Sequence, residues 1–175
     1  MPKSVVPERL SWAVDRLQLS PGDDVLEIGC GRGVALALIC EQLDTGSVLG
    51  VDRSATAIEG AQQRNQAAVD AGQLELTVAS FEKADYRGRT FDRILAVNVN
   101  HFWVRSATKE LELLKKLLTS DGRIHLAWEP PSPAKVDQIA DTVGPLVEDS
   151  GFDVSVEIAQ TKSGAALVAV VGTLH

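Results

Sequence analysis

The chain reads as an α/β protein built on a mostly parallel sheet with helices on both faces, and three observations carry that reading. Short β-type apolar runs alternate with amphipathic helical patterns, the order that a parallel sheet with crossover helices demands. A bare turn, Gly29-Cys30-Gly31-Arg32-Gly33, joins the first of these runs to the helical pattern that follows it. The last two runs are separated only by Thr161-Lys162-Ser163-Gly164, too short for a crossover helix, so they form an antiparallel hairpin at one edge.

In order, Leu10, Ala13, Val14 and Leu17 share one face of an opening helix, and Ser20-Pro21-Gly22-Asp23 turns the chain out of it. Strands are expected over residues 24–28, 47–51, 74–79, 92–97, 123–128, 153–160 and 165–173, seven in all. Helices fill the gaps at 34–43, 55–71, 104–118 and 133–150. Ser54 and Ser132 are the candidate N-caps, the second followed by proline at the first helical position.

The composition narrows the classes of partner. A chain of 175 residues, 45% hydrophobic and 23% charged, is long enough for one well-buried core and short for two, so residues 1–175 are expected to form one domain. A formal charge of −7 with no Lys/Arg cluster to override it disfavours nucleic acid and anionic membrane as partners. The apolar stretches around 34–40 and 165–171 are far shorter than the roughly 20 residues that span a bilayer. The opening MPKSVVPERL has no apolar signal core, which makes a cytoplasmic protein the expectation. Cys30 sits in the glycine turn and Cys40 should fall about 15 Å further along the helix that follows, too far for a disulfide.

The stretch VLEIGCGRG raises the question of a ligand. In an open parallel sheet, ligands bind beyond the carboxyl ends of the strands, and a glycine-rich first turn is the usual receptor. A dinucleotide fingerprint reads G-x-G-x-x-G, whereas Gly29, Gly31 and Gly33 read G-x-G-x-G. Glu27 stands just ahead of them, where it would repel a pyrophosphate in a partly dry site. A ligand with an ammonium group reverses the sign of that interaction. The alternative for the glycines is a tight turn without a ligand.

Four separated features together resemble the class I S-adenosylmethionine-dependent methyltransferases: VLEIGCGRG; VLGVDRS, an apolar strand ending in Asp52; FDRILAVNVNHFW; and LLTSDGRIHLAWEP. The resemblance covers nearly the whole chain from Asp24 onward. It implies a Rossmann-like seven-stranded sheet of order 3-2-1-4-5-7-6 with strand seven antiparallel, and S-adenosylmethionine as cofactor. It also implies an Asp-Gly turn at Asp121-Gly122 and places the N-terminal helix, within residues 1–20, on the substrate side. On that likeness Glu27, Gly29, Cys30, Gly31 and Gly33 meet the amino-acid end of the cofactor, Asp52 takes the ribose hydroxyls, and Arg53 lies near adenine through its backbone. Asn98 borders the transferred methyl. Many members carry an acid for the adenine amino group after the third strand; here the matching position is Ser80, a weaker acceptor, beside Phe81. Phe81 can pack on the adenine ring or belong to the core.

On the acceptor side the candidates are His101 as a general base and Trp12, Asn100, Trp103, Trp128 and Glu129 as walls. Each has a plainer alternative. Asparagines in such loops satisfy backbone, tryptophans at element ends anchor packing, and Asp52 is favourable simply as a negative charge ahead of a helix. His125 lies inside the fifth strand and His175 at the terminus; neither points to a metal, and no ligand cluster is visible along the sequence. Asn98-Val99-Asn100-His101 stands where amide- and adenine-nitrogen methyltransferases carry N/D-P-P-Y/F, and no acidic metal cluster of the catechol type is seen. The expected activity is therefore methyl transfer to an oxygen, nitrogen or carbon nucleophile of a small molecule. A protein side chain as acceptor, or a cofactor-binding or partner-activating subunit without chemistry, is the alternative, and a homodimer stays open. A nicotinamide dehydrogenase is disfavoured by the glycine spacing and Glu27.

Overall fold

The computed structural model describes residues 5–104 and 107–174. Residues 1–4, residues 105 and 106 inside the helix expected at 104–118, and His175 lie outside the described residues. The elements run α1 (Glu8–Arg16), β1 (Val25–Ile28), α2 (Val34–Cys40), β2 (Val48–Asp52), α3 (Ala55–Arg64), α4 (Gln66–Asp70) and β3 (Leu74–Val78). A 3-10 turn (Phe81–Lys83) precedes β4 (Phe91–Val97), α5 (His101–Val104), α6 (Thr108–Leu117), β5 (Leu118–Trp128), α7 (Ala134–Asp149), β6 (Phe152–Gln160) and β7 (Ala166–Leu174).

The seven strands form one sheet in the order β3-β2-β1-β4-β5-β7-β6, and β7 runs antiparallel to both its neighbours. All other pairings are parallel. The inner strand β1 is buried at every position because helices cover both its faces, while the edge strands β3 and β6 are each fully buried only at their first residue, Leu74 and Phe152. One face packs Leu26, Ile94 and Ile124 against Leu111 and Leu114 of α6 and Ile139 and Val143 of α7. The other packs Val25, Val48 and Leu95 against Val14 and Leu17 of α1, Leu36 and Ile39 of α2, and Ile58 and Ala61 of α3. Each of these valines, leucines and isoleucines, fully buried, contributes roughly 1.5–3 kcal/mol of transfer free energy.

Local signals set the short connections. Asp23 N–H closes its turn on the Ser20 carbonyl at 3.0 Å, Ser54 caps α3 by accepting from Ala57 N–H at 3.2 Å, and Thr161 and Ala165 close the final hairpin at 2.9 Å. Cys30 and Cys40 are both free thiols. Three expectations are corrected. The helix expected over 55–71 is two, broken at Asn65, whose buried amide donates to the carbonyls of Gly33 and Ala61 and so competes with the helix ladder. Helix α7 begins at Ala134, and Ser132 contributes its carbonyl to Lys135 N–H without a side-chain cap. Strand β5 is longer than expected: the Asp121-Gly122 turn is absorbed as an irregularity where the register passes from Phe91–Leu118 to Arg93–Arg123. Glycine suits the position because a Cβ at Gly122 would lie 3.0 Å from the carbonyls of Phe91 and Thr119, tighter than side chains ordinarily pack. Among the described residues no helix is long and apolar enough to cross a membrane.

Candidate functional site

Four parallel strands end side by side, and the chain leaving β1 must turn sharply to start α2. The N–H groups of Gly29 and Cys30 stay tied to the Val51 carbonyl of β2, at 2.8 and 3.2 Å. Asp52, the last residue of β2, then clamps the turn: one carboxylate oxygen accepts from Gly31 N–H and the other from Ser54 N–H, both at 2.9 Å. The three glycines do different work. A Cβ at Gly33 (φ +74°) would stand 2.6 Å from the Asn65 amide nitrogen and 2.9 Å from Ala61 Cβ, so its bareness lets α2 approach α3. One at Gly29 would press on Val99 at 2.9 Å. Around Gly31 nothing lies within 4 Å of such a Cβ, so the backbone there faces open space.

Beyond these strand ends lies a cavity of about 710 Å³, within the range of small-molecule sites. Of the residues singled out from the sequence, Gly29, Asp52, Arg53, Ser80 and Phe81 line it from the β1, β2 and β3 side. Asn98, Asn100 and His101 line it from the β4 side. Phe81 is at once wall and core, since it is buried and packs against Phe102 at 5.7 Å between ring centroids and edge-on to His101 at 6.1 Å.

The remaining candidates stand outside the lining. Cys30 is buried against α2, and burial first, then Glu27 and Asp52, push its thiol well above the ordinary range, so it is a neutral packing group. Trp128 is buried in the core on the α6 and α7 face with its indole N–H unpartnered among the described residues. Trp103 donates to the side-chain oxygen of Asn100 at 3.1 Å, and Glu129 N–H donates to that of Asn98 at 2.9 Å. The Glu129 carboxylate meets Arg9 at 3.6 Å, tying α1 to the end of β5, and Trp12 packs half-buried on the α1 and α2 side.

Glu27 sits on β1 with 3% of its surface exposed, and its Oε2 has no hydrogen-bond partner among the described residues. Burial above all, with help from the Asp52 charge, pushes its carboxyl up to about 8. At neutral pH it is therefore mostly a neutral acid, held ready to ionise when a positive charge arrives. Sequence reasoning missed two residues that the fold adds. Glu110 of α6 meets His101 Nε2 at 2.5 Å, and Glu82 of the 3-10 turn brings its carboxylate into the same group, so that donor atoms of all three lie within 4.8 Å of one another. They come from three separate elements, and no spacing along the chain signals their meeting.

A methyltransferase-domain family model matches residues 25–122, from β1 into β5, which takes in the glycine turn, Asp52 and the cavity walls. The chain belongs to this class I S-adenosylmethionine-dependent methyltransferase family. It is 30% identical over 122 residues to an O-methyltransferase of Pyrenophora dematioidea, an alignment covering 69% of this chain and 45% of that protein. This chain thus spans less than half the length of that relative. Among solved structures it superposes on precorrin-6y C5,15-methyltransferase of Geobacter metallireducens with TM-score 0.76 and 16% identity, covering 100% of this chain and 93% of the other. Magnesium protoporphyrin IX methyltransferase of Synechocystis PCC 6803, solved with bound S-adenosylmethionine, gives TM-score 0.68 at 20% identity, covering 96% and 77% of the two chains. At these identities the structural likeness speaks to the fold.

Proposed function

We propose that this chain transfers the methyl group of S-adenosylmethionine to a nucleophile of a small molecule, and that residues 1–175 act as a single domain in doing so. The observation that carries the reading is the 710 Å³ cavity at the strand ends, lined together by Gly29, Asp52 and His101, with the buried acid Glu27 two residues before Gly29 on β1. The residues fit the cofactor chemically. Asp52 uses one lone pair of each oxygen on the glycine turn and α3, leaving others for ribose hydroxyls. Unpartnered, buried Glu27 is matched by an ammonium group, and the open backbone at Gly31 gives a polar chain room to enter. Ser80 and Phe81 stand at the adenine end, and Arg53 borders it.

When bound, the cofactor supplies an electrophilic methyl group on a sulfonium. The protein's part is to hold the acceptor in line in a pocket with little water and to receive a proton where the acceptor must lose one. His101 is the base in this reading, with Glu110 fixing its ring. Asn98 and Asn100 shape the wall beside it, Trp103 and the Glu129 N–H hold those two side chains by hydrogen bonds, Trp12 of α1 is assigned to the acceptor side, and Trp128 acts from the core as a packing anchor. A small acceptor is favoured because the 710 Å³ cavity must hold both molecules, with the loop after β4, from Val97 to His101, lining the acceptor's side. The test is calorimetry with S-adenosylmethionine, S-adenosylhomocysteine and NAD, then incubation with labelled cofactor and a metabolite extract, with mass spectrometry for products heavier by one methyl group. Binding of NAD in place of the other two would overturn the proposal.

A further inference from the structure

We propose that two copies of the chain pair edge to edge through β6, antiparallel about a two-fold axis at Val156, so that their two sheets become one. Among the described residues the sheet ends at β6, and its register with β7 runs unbroken from Phe152–Leu174 to Gln160–Ala166. Thr161 N–H donates to the Ala165 carbonyl at 2.9 Å, which makes these two a hydrogen-bonded pair. Such pairs alternate along an antiparallel ladder. The backbone N–H and C=O groups of Val154, Val156 and Ile158 therefore point away from β7, toward the open edge.

Sheet edges are ordinarily blunted by brevity, charge, proline or a bulge. At the other edge β3 is only five residues long, and Arg87 and Arg89 meet its Glu75 at 3.2 and 3.3 Å. Strand β6 has nine residues and contains no proline, lysine or bulge. It also carries an apolar row that α7 covers only at one end. Phe152 is fully buried and Val156 lies beside Gly144 of α7, yet Val156 is 42% exposed and Ile158 61%.

The strand is complementary to itself, and this selects a second copy as the occupant. Centred on Val156, the whole of β6 pairs: Val156 meets its own copy, and Val154 meets the partner's Ile158 on either side of the axis. These are the residues whose backbone groups face outward, so each opposed pair exchanges both its N–H···O bonds. Glu157 meets the partner's Ser155, whose hydroxyl donates to the carboxylate. Neighbouring registers fail on charge, because like charges directly opposite are destabilising. Centred on Ser155, Asp153 lies opposite Glu157; centred on Glu157, that carboxylate faces itself. Moving the centre to Val154 or Ile158 leaves only residues 152–156 or 156–160 paired. No residue of β6 lines the cofactor cavity, so the pairing stands apart from the proposed methyl transfer.

The experiment is sedimentation velocity on the full chain over a micromolar concentration series, where a reversible monomer–dimer equilibrium is expected. Val156→Pro removes an outward N–H, a change that edge strands tolerate, and Ile158→Lys puts a charge on an exposed edge position. Each should weaken dimerisation about thirty-fold or more, because the two-fold axis counts every loss twice. Ile158→Lys keeps the test open if circular dichroism shows that Val156→Pro does not fold. Register is read by oxidative cross-linking on a Cys40→Ser background, since Cys40 is only half-buried. Val156→Cys should give a disulfide-linked dimer, as opposed Cα atoms in a hydrogen-bonded pair lie about 5.5 Å apart. Ser155→Cys and Glu157→Cys, each offset from its own copy, should not. A monomer at every concentration, a dimer indifferent to both edge substitutions, or cross-linking at residue 155 or 157 in place of 156 overturns the proposal.

Discussion

Glu27 offers the most direct test of how the cofactor cavity works. Its carboxyl, held up at about 8 by burial and Asp52, must ionise to pair with the ammonium group of the cofactor. An opposite charge at contact distance lowers a carboxyl pKa by about 1–3. Binding therefore expels a proton below about pH 8, and affinity rises with pH. With the pKa falling from about 8 to about 6 on binding, the linkage relation makes affinity at pH 8 about 25-fold higher than at pH 6. Shifts of about 1 and about 3 give roughly five-fold and fifty-fold. S-adenosylhomocysteine is the ligand to use, because it keeps the ammonium and lacks the sulfonium charge. Calorimetry in two buffers of different ionisation enthalpy reads the proton directly. In Glu27→Gln, whose amide is neutral throughout, the slope should vanish. The same substitution should stabilise the free chain near pH 8. The folded pKa lies above the ordinary value of 4.5, so the folded state holds more protons and Glu27 costs stability as pH rises from about 4.5 to about 8, by a few kcal/mol in total. A wild-type affinity flat across the window, or an equal slope in Glu27→Gln, would show that the ammonium lies elsewhere.

Three further outcomes are expected. Asp52→Ala should weaken cofactor binding by about 1–3 kcal/mol in calorimetry, since hydrogen bonds to a charged group are lost and the turn loses its clamp on Gly31 and Ser54. His101→Ala should reduce turnover about 100- to 10,000-fold with little change in cofactor affinity; Glu110→Gln should lower turnover less and move the pH profile, whereas unchanged kinetics in both would remove the base from the mechanism. Gly33→Ala should lower stability by more than about 1 kcal/mol in denaturant titration, because positive φ and the 2.6 Å approach to Asn65 act together.

Much of this molecule is legible along the chain because the responsible forces are local and periodic. Val25, Leu26 and Ile28 mark a strand buried on both faces, and Leu10, Ala13, Val14 and Leu17 mark a single helical stripe. The break at Asn65 was hidden, since the amide that ends α3 bonds to the Gly33 carbonyl 32 residues away. The Asp121-Gly122 turn misled for a related reason: turn chemistry was present, and contact with β4 decided how it was used.

The sequence by itself determined the alternation of strands and helices, the antiparallel hairpin at the edge, and a glycine turn followed by an acid at the end of the next strand. These depend on side-chain spacing, turn length and the conformations open to glycine, which are properties of neighbouring residues. Tertiary structure alone decided that Gly33 serves helix packing while Gly31 faces open space, that His101 meets Glu110, and that Glu27 Oε2 and the His125 ring nitrogens lose their water without gaining a partner among the described residues. Desolvation and long-range contact govern those outcomes. A residue's identity sets which charge it can carry, and only the surrounding fold sets what that charge costs.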